Sequence, residues 1–454
     1  MSAISEDDFN AELKRFHGSI QGAHALPLEP GDPRYVEILQ QNPASDPILH
    51  LAQRILFAES ESLNLLTGFR GNGKSTELRR LKGILEDSGN ITVILVNMAD
   101  YVLMTKPLEL GDFLLSLIAA LADAARSMNK IDAVNPGYLE RIWSFLKETQ
   151  VEVESLEVEG DVGVATGKIG VRLQRDASFK ARIQETLRGH LDGLVQKAND
   201  YIGDLVGAIQ GGDPEHKVVL LVDSLEQLRG VGEDAEAVYD STVELFSGQA
   251  SNLRLPTLHV VYTIPPYLIP RAPNIARNLG GNPVCVWPNI HVRRKDGDED
   301  PAGLEIMRTI IERRYRLWEI FYTQAQLDKL AMTSGGDIRD FFRLVREGLL
   351  GLSTARMIKD GAAKSVDSDM LNRAIVQLRN EFLPIPRQDL IHLNTIHQTK
   401  RHALEDMGDL PTLTRFLDAN LIMNYLNGEP WYDVHPVLLN TLKGLDDDGE
   451  PTDH

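Results

Sequence analysis

The sequence predicts an α/β protein in which helices cover both faces of a parallel five-stranded sheet, followed by a helical region and a small module with a β-wing. Five short apolar segments, each bounded by turn or polar residues, recur between residues 63 and 287 and are separated by helical patterns. Strands that are buried on both faces and joined by helices pair in parallel and form a three-layer sandwich. From residue 303 to about 352 the apolar residues keep helical spacing, which indicates an all-helical region.

The composition is that of an ordinary globular protein and bounds the possible functions. The 454 residues are 43% hydrophobic and 25% charged, which leaves room for two or three domains. The formal net charge of −19 repels nucleic acid, so DNA binding would need a local basic patch. The single cysteine, Cys285, excludes an intrachain disulfide. Because we find neither a long apolar run nor a signal peptide, we expect a cytoplasmic protein with no membrane segment.

Changes in composition along the chain predict its domains. Prolines interrupt helical patterns between residues 27 and 43, which indicates an N-terminal arm and no separate domain. More than a hundred residues separate the second and third apolar segments, far beyond an ordinary crossover, and this indicates an insertion. The predicted segments are an arm at 1–45, an α/β core at 46–293 with its insertion at 99–215, a helical lid at 294–365, a winged-helix-like domain at 366–445 and an acidic tail at 446–454.

The elements of the core are predicted from local patterns. Asp46 caps an amphipathic helix that extends to Phe57 and leads into the first strand. The insertion is predicted to hold a β-ribbon at 151–173 that turns near Gly160-Asp161, and then one long amphipathic helix at 179–209. The predicted strands are 63–66, 91–96, 218–222, 258–262 and 284–287.

The remaining patterns predict a lid and a wing. The acidic stretch Asp296–Asp300 caps a helix at 303–316, which opens the lid. A polar linker near 360–369 precedes the last module, in which helices are followed by a two-stranded wing. The wing spans 420–434 and turns at Asn427-Gly428.

A glycine-rich loop follows the first strand and fits the pattern G-x4-G-K-[ST]. Glycines let backbone N–H groups wrap phosphate oxygens, and the helix that starts at Lys74 directs its positive end toward them. Lys74 neutralises the β- and γ-phosphates, and the Ser75 hydroxyl is a ligand for Mg²⁺. The sequence therefore predicts a site for ATP or ADP with Mg²⁺. The loop residues assigned to it are Gly68, Arg70, Gly71, Asn72, Gly73, Lys74, Ser75 and Thr76.

A second acidic motif follows the third strand, which ends in a carboxylate, Asp223. Asp223 is predicted to hold the Mg²⁺ shell. Glu226 is the nearest carboxylate able to orient or deprotonate the attacking water, a role that Ser224 cannot take. The alternative is that Glu226 is an acid at a helix N-terminus, favoured by the helix dipole.

Further polar residues are candidates for the γ-phosphate. Thr263 ends the fourth strand, at the edge of the sheet where ligands bind, although a purely local hydrogen bond would also explain it. Arg271 and Arg277 are candidates for an arginine finger in a neighbouring subunit, with a solvated surface pair as the alternative. Arg339 lies at a turn before a lid helix and is the better candidate. The predicted catalytic residues are Lys74, Asp223, Glu226 and Arg339.

From residue 46 to about 440, these motifs in this order resemble the AAA+ and STAND superfamily of ATPases. Asp223-Ser-Leu-Glu226-Gln resembles the Walker B motif of the NACHT branch, whereas AAA+ enzymes usually place the glutamate where this chain has Ser224. Gly336-Asp337-Ile338-Arg339 resembles the sensor 2 motif G-x-x-R of AAA+ initiator-type ATPases. The resemblance implies a P-loop NTPase fold with strand order 5-1-4-3-2, a helical lid and a C-terminal winged helix.

The end of the wing, Trp431-Tyr-Asp-Val-His435-Pro, is similar to the M-H-D segment that closes the winged helix of NOD-like receptors. In those proteins the histidine contacts ADP, which makes His435 a candidate nucleotide ligand. Val434 and Pro436 replace the flanking Met and Asp of that segment. The alternative is a histidine buried by packing in the wing.

Three functions fit these motifs, two with ATP hydrolysis and one without it. The first is a nucleotide-driven switch that hydrolyses ATP slowly under partner control and couples nucleotide state to homo-oligomerisation or to an effector or sensor protein encoded nearby. The resemblance suggests a role in bacterial defence or signalling. The second is a DNA-binding initiator or loader that reads DNA through its winged helix. The third is a structural subunit that binds ATP without turnover.

Charge distinguishes the switch from the DNA-binding alternative. The module that would read DNA is acidic. Its recognition helix at 411–420 has a single cation, Arg415, and one cation neutralises too few phosphates for useful affinity. Between residues 384 and 440 the cations are Arg387, Lys400, Arg401 and Arg415, and the acids are Asp389, Glu405, Asp406, Asp409, Asp418, Glu429 and Asp433.

Overall fold

The computed structural model describes residues 6–21, 27–39, 45–128, 173–358, 361–402, 406–427 and 429–444. Residues 151–172 of the predicted ribbon and the predicted acidic tail lie outside these ranges. Contacts divide the chain into two compact units. The first consists of Met1–Ser45, Gly68–Thr76 and Trp287–His454, and the second of Asp46–Thr67 and Glu77–Val286.

The secondary structure alternates as the sequence predicts. The strands are β1 Ser62–Thr67, β2 Ile91–Asn97, β3 Lys217–Asp223, β4 His259–Ile264, β5 Cys285–Val286, β6 Ile422–Asn427 and β7 Glu429–Val434. The helices are α1 Glu6–Ser19, α2 Pro47–Phe57, α3 Lys74–Asp87, α4 Leu110–Ser127, α5 Ala177–Leu187, α6 Leu191–Gln210, α7 Ala235–Val243, α8 Leu268–Arg271, α9 Ile275–Asn278, α10 Pro301–Arg314, α11 Gln324–Ser334, α12 Ile338–Ile358, α13 Ser368–Asn380, α14 Arg387–Thr399, α15 Leu410–Asp418 and α16 Leu439–Leu442.

The second unit contains a parallel sheet with the order β2-β3-β4-β1-β5, which confirms the predicted order. Every neighbouring pair of strands runs parallel. Asn97 lies opposite Asp223, Val222 opposite Tyr262, and Leu66 opposite Thr263, so the strands end at one edge. β4 is buried along its whole length, as expected for a strand covered on both faces.

The long helix predicted at 179–209 is wrong in one respect, because the structure breaks it into α5 and α6. α5 ends at Leu187, and the His190 N–H donates to the Leu187 carbonyl in the turn that follows. Gly189 lies inside this turn, and glycine costs helix stability because its backbone loses the most freedom on ordering. The apolar spacing continues across the turn, which is why the periodicity gave no sign of the break.

The predicted N-terminal arm contains a helix, α1, which packs in the first unit. The rings of Phe16 and Tyr315 stack with centroids 4.6 Å apart, and Phe9 meets Phe321 edge to face at 5.1 Å. The prolines that argued against a helix all follow α1 in the chain and therefore leave it intact.

The lid and the C-terminal module also belong to the first unit. Asp300 caps α10, as predicted, by accepting the Ala302 N–H at 3.1 Å. In the C-terminal module, α14 and α15 precede the antiparallel hairpin of β6 and β7, the arrangement of a winged helix.

The segment after β5 runs beside the wing. The Asn289 N–H donates to the Asn424 carbonyl at 3.1 Å, and the Leu426 N–H donates to His291 Nε2 at 2.8 Å. Wing aromatics are buried here: Tyr425 and Trp431 stack with centroids 4.4 Å apart. The Tyr425 hydroxyl donates to the Gly335 carbonyl at 2.8 Å, so this wing residue contacts the turn before α12.

Among the helices of the described ranges, none combines the length and the apolar character needed to cross a bilayer.

Candidate phosphate-binding site

The glycine-rich loop occupies the chain between the end of β1 at Thr67 and the start of α3 at Lys74. A Cβ added to Gly68 would come within 2.5 Å of the Trp287 carbonyl oxygen, so only glycine fits there. Gly71 and Gly73 adopt φ values of 100° and 92°, which favour glycine. The motif glycines therefore satisfy a real backbone requirement of the loop.

Asn72 and Trp287 hold the loop by two reciprocal hydrogen bonds. Asn72 Nδ2 donates to the Trp287 carbonyl at 2.9 Å, and the Trp287 indole N–H donates to the Asn72 carbonyl at 3.0 Å. Both side chains are buried. Asn72 thus supports the loop from inside the first unit, a role that the motif alone does not specify.

The Lys74 side chain is buried and lies along its own loop. Its ammonium group donates to the Phe69 carbonyl at 2.6 Å and to Asn72 Oδ1 at 3.3 Å. The positive charge therefore lies inside the loop that the motif assigns to phosphate.

The two hydroxyl residues of α3 differ in their surroundings. Thr76 Oγ1 accepts the Leu28 N–H at 3.1 Å, which ties the N-terminal segment to the first turn of the helix. Ser75, on the same turn, is half-buried. The motif assigns Ser75 to the metal ion, and this role stays a prediction.

A lid residue, Asp337, lies against the loop at Gly71. A Cβ built on Gly71 would meet both carboxylate oxygens of Asp337 at 2.6 Å. Asp337 also caps α12, because its Oδ1 accepts the Asp340 N–H at 2.9 Å. Arg339, which follows on the first turn of α12, is exposed. The aspartate of the sensor-like motif therefore lies against the loop.

Two carboxyl groups at the start of α12, Asp337 and Asp340, have pKa values shifted in opposite directions. Burial, and after it the charge of Asp340, raises the pKa of Asp337 to about 7. Burial opposes the ionisation of Asp340, but its contacts with His435 and Arg343 outweigh burial and lower its pKa. Asp337 thus resists ionisation whereas Asp340 stays charged.

The His435 side chain is buried and contacts this same turn of the lid. Its Nε2 lies 3.3 Å from Asp340 Oδ2, and its Nδ1 accepts the Val437 N–H at 3.3 Å. The ring centroid lies 4.9 Å from that of Phe382. His435 therefore packs between the lid and the end of the wing. Its predicted contact with ADP stays a prediction.

The C-terminal module reaches the loop through Arg70. The guanidinium group donates to both the carboxylate and the backbone carbonyl of Asp418, the last residue of α15. Asn420 Nδ2 donates to the Arg70 carbonyl at 3.1 Å. Arg70, assigned to the nucleotide by the motif, is thus also the contact between the loop and the winged helix.

In the second unit, β3 ends at Asp223 and turns sharply. Ser224 has a φ of 74°, and its N–H donates to Asp223 Oδ1 at 2.7 Å. Glu226 follows in a short 3-10 helix, Leu225–Gln227, and is buried. Its Oε2 accepts no hydrogen bond from any residue that the structure describes. Asn64 and Asn289 also have buried polar atoms of this kind, so the role of Glu226 as general base stays a prediction.

The Thr263 hydroxyl is buried and bridges this turn to β4. It donates to the Val222 carbonyl at 3.2 Å and accepts the Leu225 N–H at 3.0 Å. Thr263 therefore positions the segment from Asp223 to Glu226. Its predicted contact with the γ-phosphate stays a prediction.

The two finger candidates differ in how they are held. Arg271 forms ion pairs with Glu236 and, at 3.0 Å, with Asp240, and lies over the Tyr239 ring. Arg277, on α9, is exposed. Whether either arginine acts as a finger stays a prediction.

The oxygen ligands predicted for Mg²⁺ are of the type that this ion prefers. Asp223 supplies a carboxylate and Ser75 a hydroxyl. Within the described ranges, no three His, Cys, Asp or Glu side chains gather into a metal-binding group. Mg²⁺ bound to nucleotide needs no such group, because phosphates and water complete its shell.

The sequence does not predict three contacts of the loop, those with Asp337, Asp418 and Trp287. In the sequence, Asp337 belongs to the motif that ends in Arg339, Asp418 is one of the acids that oppose DNA binding, and residue 287 ends a predicted strand. A glycine at position 71 indicates a close neighbour but does not identify it.

No protein family model matches the chain, and no curated protein matches it. Solved structures do resemble it. The Walker-type ATPase paby2304 of Pyrococcus abyssi is 16% identical, with 88% of this chain and 95% of that chain covered and a TM-score of 0.40. The Orc1 protein of Aeropyrum pernix in complex with DNA is 13% identical over 94% and 96%, at a TM-score of 0.36.

The ADP form of the Aeropyrum pernix Orc2 protein is 11% identical, with 94% and 96% of the two chains covered and a TM-score of 0.39. Because these identities and TM-scores are low, the fold assignment rests on the chain's own features. These are the order β2-β3-β4-β1-β5, the parallel direction of all strands in that sheet, and a glycine-rich loop between β1 and α3. On this evidence, the chain has the α/β fold of the P-loop NTPases.

Proposed function

We propose that the chain binds and hydrolyses ATP as a member of the AAA+ and STAND group of P-loop ATPases. The observation that carries the proposal is the loop Gly68–Thr76, which has the sequence G-x4-G-K-S and joins the first strand of a parallel sheet to a helix that begins at Lys74. This context of strand, loop and helix is the one that binds phosphate.

The proposed roles follow the chemistry of each group. Backbone N–H groups of the loop and the Lys74 ammonium bind the β- and γ-phosphates. Ser75 and Asp223 hold Mg²⁺, which neutralises phosphate charge when it is bound. Glu226 accepts a proton from the attacking water, and the hydrogen bonds of Thr263 keep Glu226 in place.

Titration calorimetry with ATP and with ADP in the presence of Mg²⁺, together with a phosphate-release assay, tests this proposal. We expect saturable binding of both nucleotides and slow release of phosphate from ATP. Absence of binding at millimolar nucleotide would refute the assignment. Binding with no release in a single-turnover experiment would support the structural-subunit alternative instead.

We further propose that nucleotide state controls assembly. In the first unit, the loop contacts the lid at Asp337 and the winged helix at Asp418, so a change at the loop reaches both elements. The expected partner is a second copy of the chain or an effector or sensor protein encoded nearby, in a bacterial defence or signalling system. Size-exclusion chromatography with light scattering, with ATP, with ADP and without nucleotide, tests this. An identical mass in all three conditions and with candidate partners would count against a switch.

Arg339→Ala is expected to weaken ATP binding more than ADP binding. Arg339 is exposed on the first turn of α12, two residues after Asp337, which lies against the loop. Loss of one charge-assisted hydrogen bond corresponds to roughly a tenfold loss of ATP affinity. Competition titrations with a fluorescent nucleotide measure both affinities. Arg346→Ala, further along α12, serves as the control, and equal losses for ATP and ADP would make Arg339 a structural residue.

The DNA-binding alternative is favoured by the winged-helix arrangement and opposed by its charges. Arg415 pairs with Asp389 at 3.0 Å, and Lys400 pairs with Asp433 at 2.7 Å, so two of the module's cations are already neutralised.

We therefore expect no duplex binding tighter than about 10 µM at physiological salt, with or without ATP. Fluorescence anisotropy with a labelled duplex, repeated over a range of salt concentrations, measures this. Tight binding that weakens steeply with added salt would favour the initiator and rule out a module that serves only protein contacts.

A further inference from the structure

We propose that Asp337 and Asp418 form an acidic clamp on the phosphate-binding loop, with which nucleotide phosphates must compete. The inference rests on the proposed nucleotide site and adds a regulatory element to it. The clamp consists of two carboxylates that approach the loop from two different elements, α12 of the lid and α15 of the winged helix. Both are among the buried polar residues of the first unit.

The first half of the clamp neutralises Arg70, one of the two cations of the loop, the other being Lys74. Arg70 is one of the four variable residues of the motif, and its charge is available in principle to a phosphate. Instead its guanidinium group donates to the carboxylate and the carbonyl of Asp418. The side chain of Asp418 is 8% exposed and that of Arg70 is 17% exposed, so solvent screens the pair little. Phosphate must therefore compete with Asp418 for this arginine.

The second half places a buried carboxyl group against the phosphate-binding loop. The Asp337 carboxylate is buried against Gly71, with no room for a side chain at that position. An ionised carboxylate and a phosphate repel each other, and burial strengthens the repulsion. Because burial raises the pKa of Asp337 to about 7, the ionised fraction and with it the repulsion increase as the pH rises through that value.

The clamp links nucleotide affinity to the position of the winged helix. If phosphate binding weakens the contact between Asp418 and Arg70, then loosening this contact strengthens phosphate binding by the same factor. A partner that binds the C-terminal module and draws α15 away would therefore raise nucleotide affinity without contacting the nucleotide.

The test replaces each carboxylate by its amide in the full chain, with ADP as the probe so that hydrolysis does not interfere. Asp418→Asn removes the charge and preserves the size of the side chain. Asp337→Asn preserves the helix cap, because asparagine caps as well as aspartate. At about pH 8, where Asp337 is mostly ionised, we expect each variant to bind ADP roughly 5-fold more tightly or better, which is the lower end of usual coupling between sites.

Asp389→Asn is the matched control. Asp389 lies in the same module, its side chain is 8% exposed like that of Asp418, and it also pairs with an arginine, Arg415. Nothing that the structure describes joins Asp389 to the loop, so we expect its ADP affinity to equal that of the wild type. A double-mutant cycle gives the second control: in the Arg70→Gln background, Asp418→Asn is expected to change ADP affinity less than 2-fold.

The outcomes separate this inference from the proposed function. If the wild type binds ADP and neither amide variant differs from Asp389→Asn, the clamp is wrong and the nucleotide site stands. If only the amide variants bind ADP, the clamp is supported in its strongest form. If no variant binds ADP while all unfold cooperatively, both proposals are overturned. Should Asp418→Asn unfold below the assay temperature, Asp337→Asn decides the question alone.

Discussion

Lys74→Ala is expected to lower the affinity for both ATP and ADP by at least about 100-fold, because the variant loses charge-assisted hydrogen bonds to two phosphates. Lys74 is buried inside its own loop and donates to the Phe69 carbonyl and to Asn72 Oδ1. Removing the ammonium leaves these two acceptors without one of their donors, at a cost of about 1 kcal/mol each in the free energy of unfolding. We therefore expect a folded variant that does not bind nucleotide.

Titration calorimetry measures the loss of binding, and thermal unfolding measures the change in stability. Lys82→Ala is the control on the same helix. Lys82 lies two turns further along α3, and its partly exposed side chain is 4.0 Å from Glu86. Its replacement is expected to change neither nucleotide affinity nor, by more than about 0.5 kcal/mol, stability. Unchanged affinity in Lys74→Ala would refute the site.

Glu226→Gln is expected to retain Mg·ATP and to lower the rate of hydrolysis by about 100- to 10,000-fold. The amide keeps the shape of the carboxylate and cannot accept a proton from water, and general-base contributions are of this size. Glu226 is buried, and among the described residues nothing donates to its Oε2, so the substitution disrupts no hydrogen bond at that atom.

Single-turnover phosphate release, measured beside equilibrium binding of ATP, separates the two effects. Glu233→Gln replaces an exposed acid in the neighbouring 3-10 helix Gly232–Asp234 and controls for a general loss of negative charge. It is expected to hydrolyse ATP at the wild-type rate. Wild-type turnover in Glu226→Gln would assign the base to another residue.

The sheet was predictable because its strands are encoded locally. Each strand is a run of apolar residues ended by polar ones, and the observed bounds differ from the predicted ones by only one or two residues, as in β3, predicted at 218–222 and observed at Lys217–Asp223. The loop was predictable for a related reason: the glycines, Lys74 and Ser75 lie within eight consecutive residues.

The contacts that surround the loop were not predictable from one sequence. Arg70 and Asp418 are separated by 348 positions, and no local pattern relates the two. Asp337 belongs to a motif that assigns the contact with nucleotide to its arginine, Arg339. The contact between Asp337 and Gly71 depends on the position at which α12 begins. The role of Thr263 has a similar origin, since its two hydrogen bonds reach a neighbouring strand and the turn after it. Such pairings arise only when the elements pack together.

The short segment that follows β5 contacts three elements of the first unit within five residues. Trp287 binds the phosphate loop, the Ile290 carbonyl fills the space beside Gly336 where a Cβ would stand, and His291 accepts a hydrogen bond from the wing. Each residue advances the chain by at most about 3.6 Å, so the spacing between these contacts depends on the number of residues that separate them. Inserting or deleting one residue here would displace at least one of the three. The length of this linker is therefore under tighter constraint than most of its side chains, and indels in it should be tolerated far less well than point substitutions.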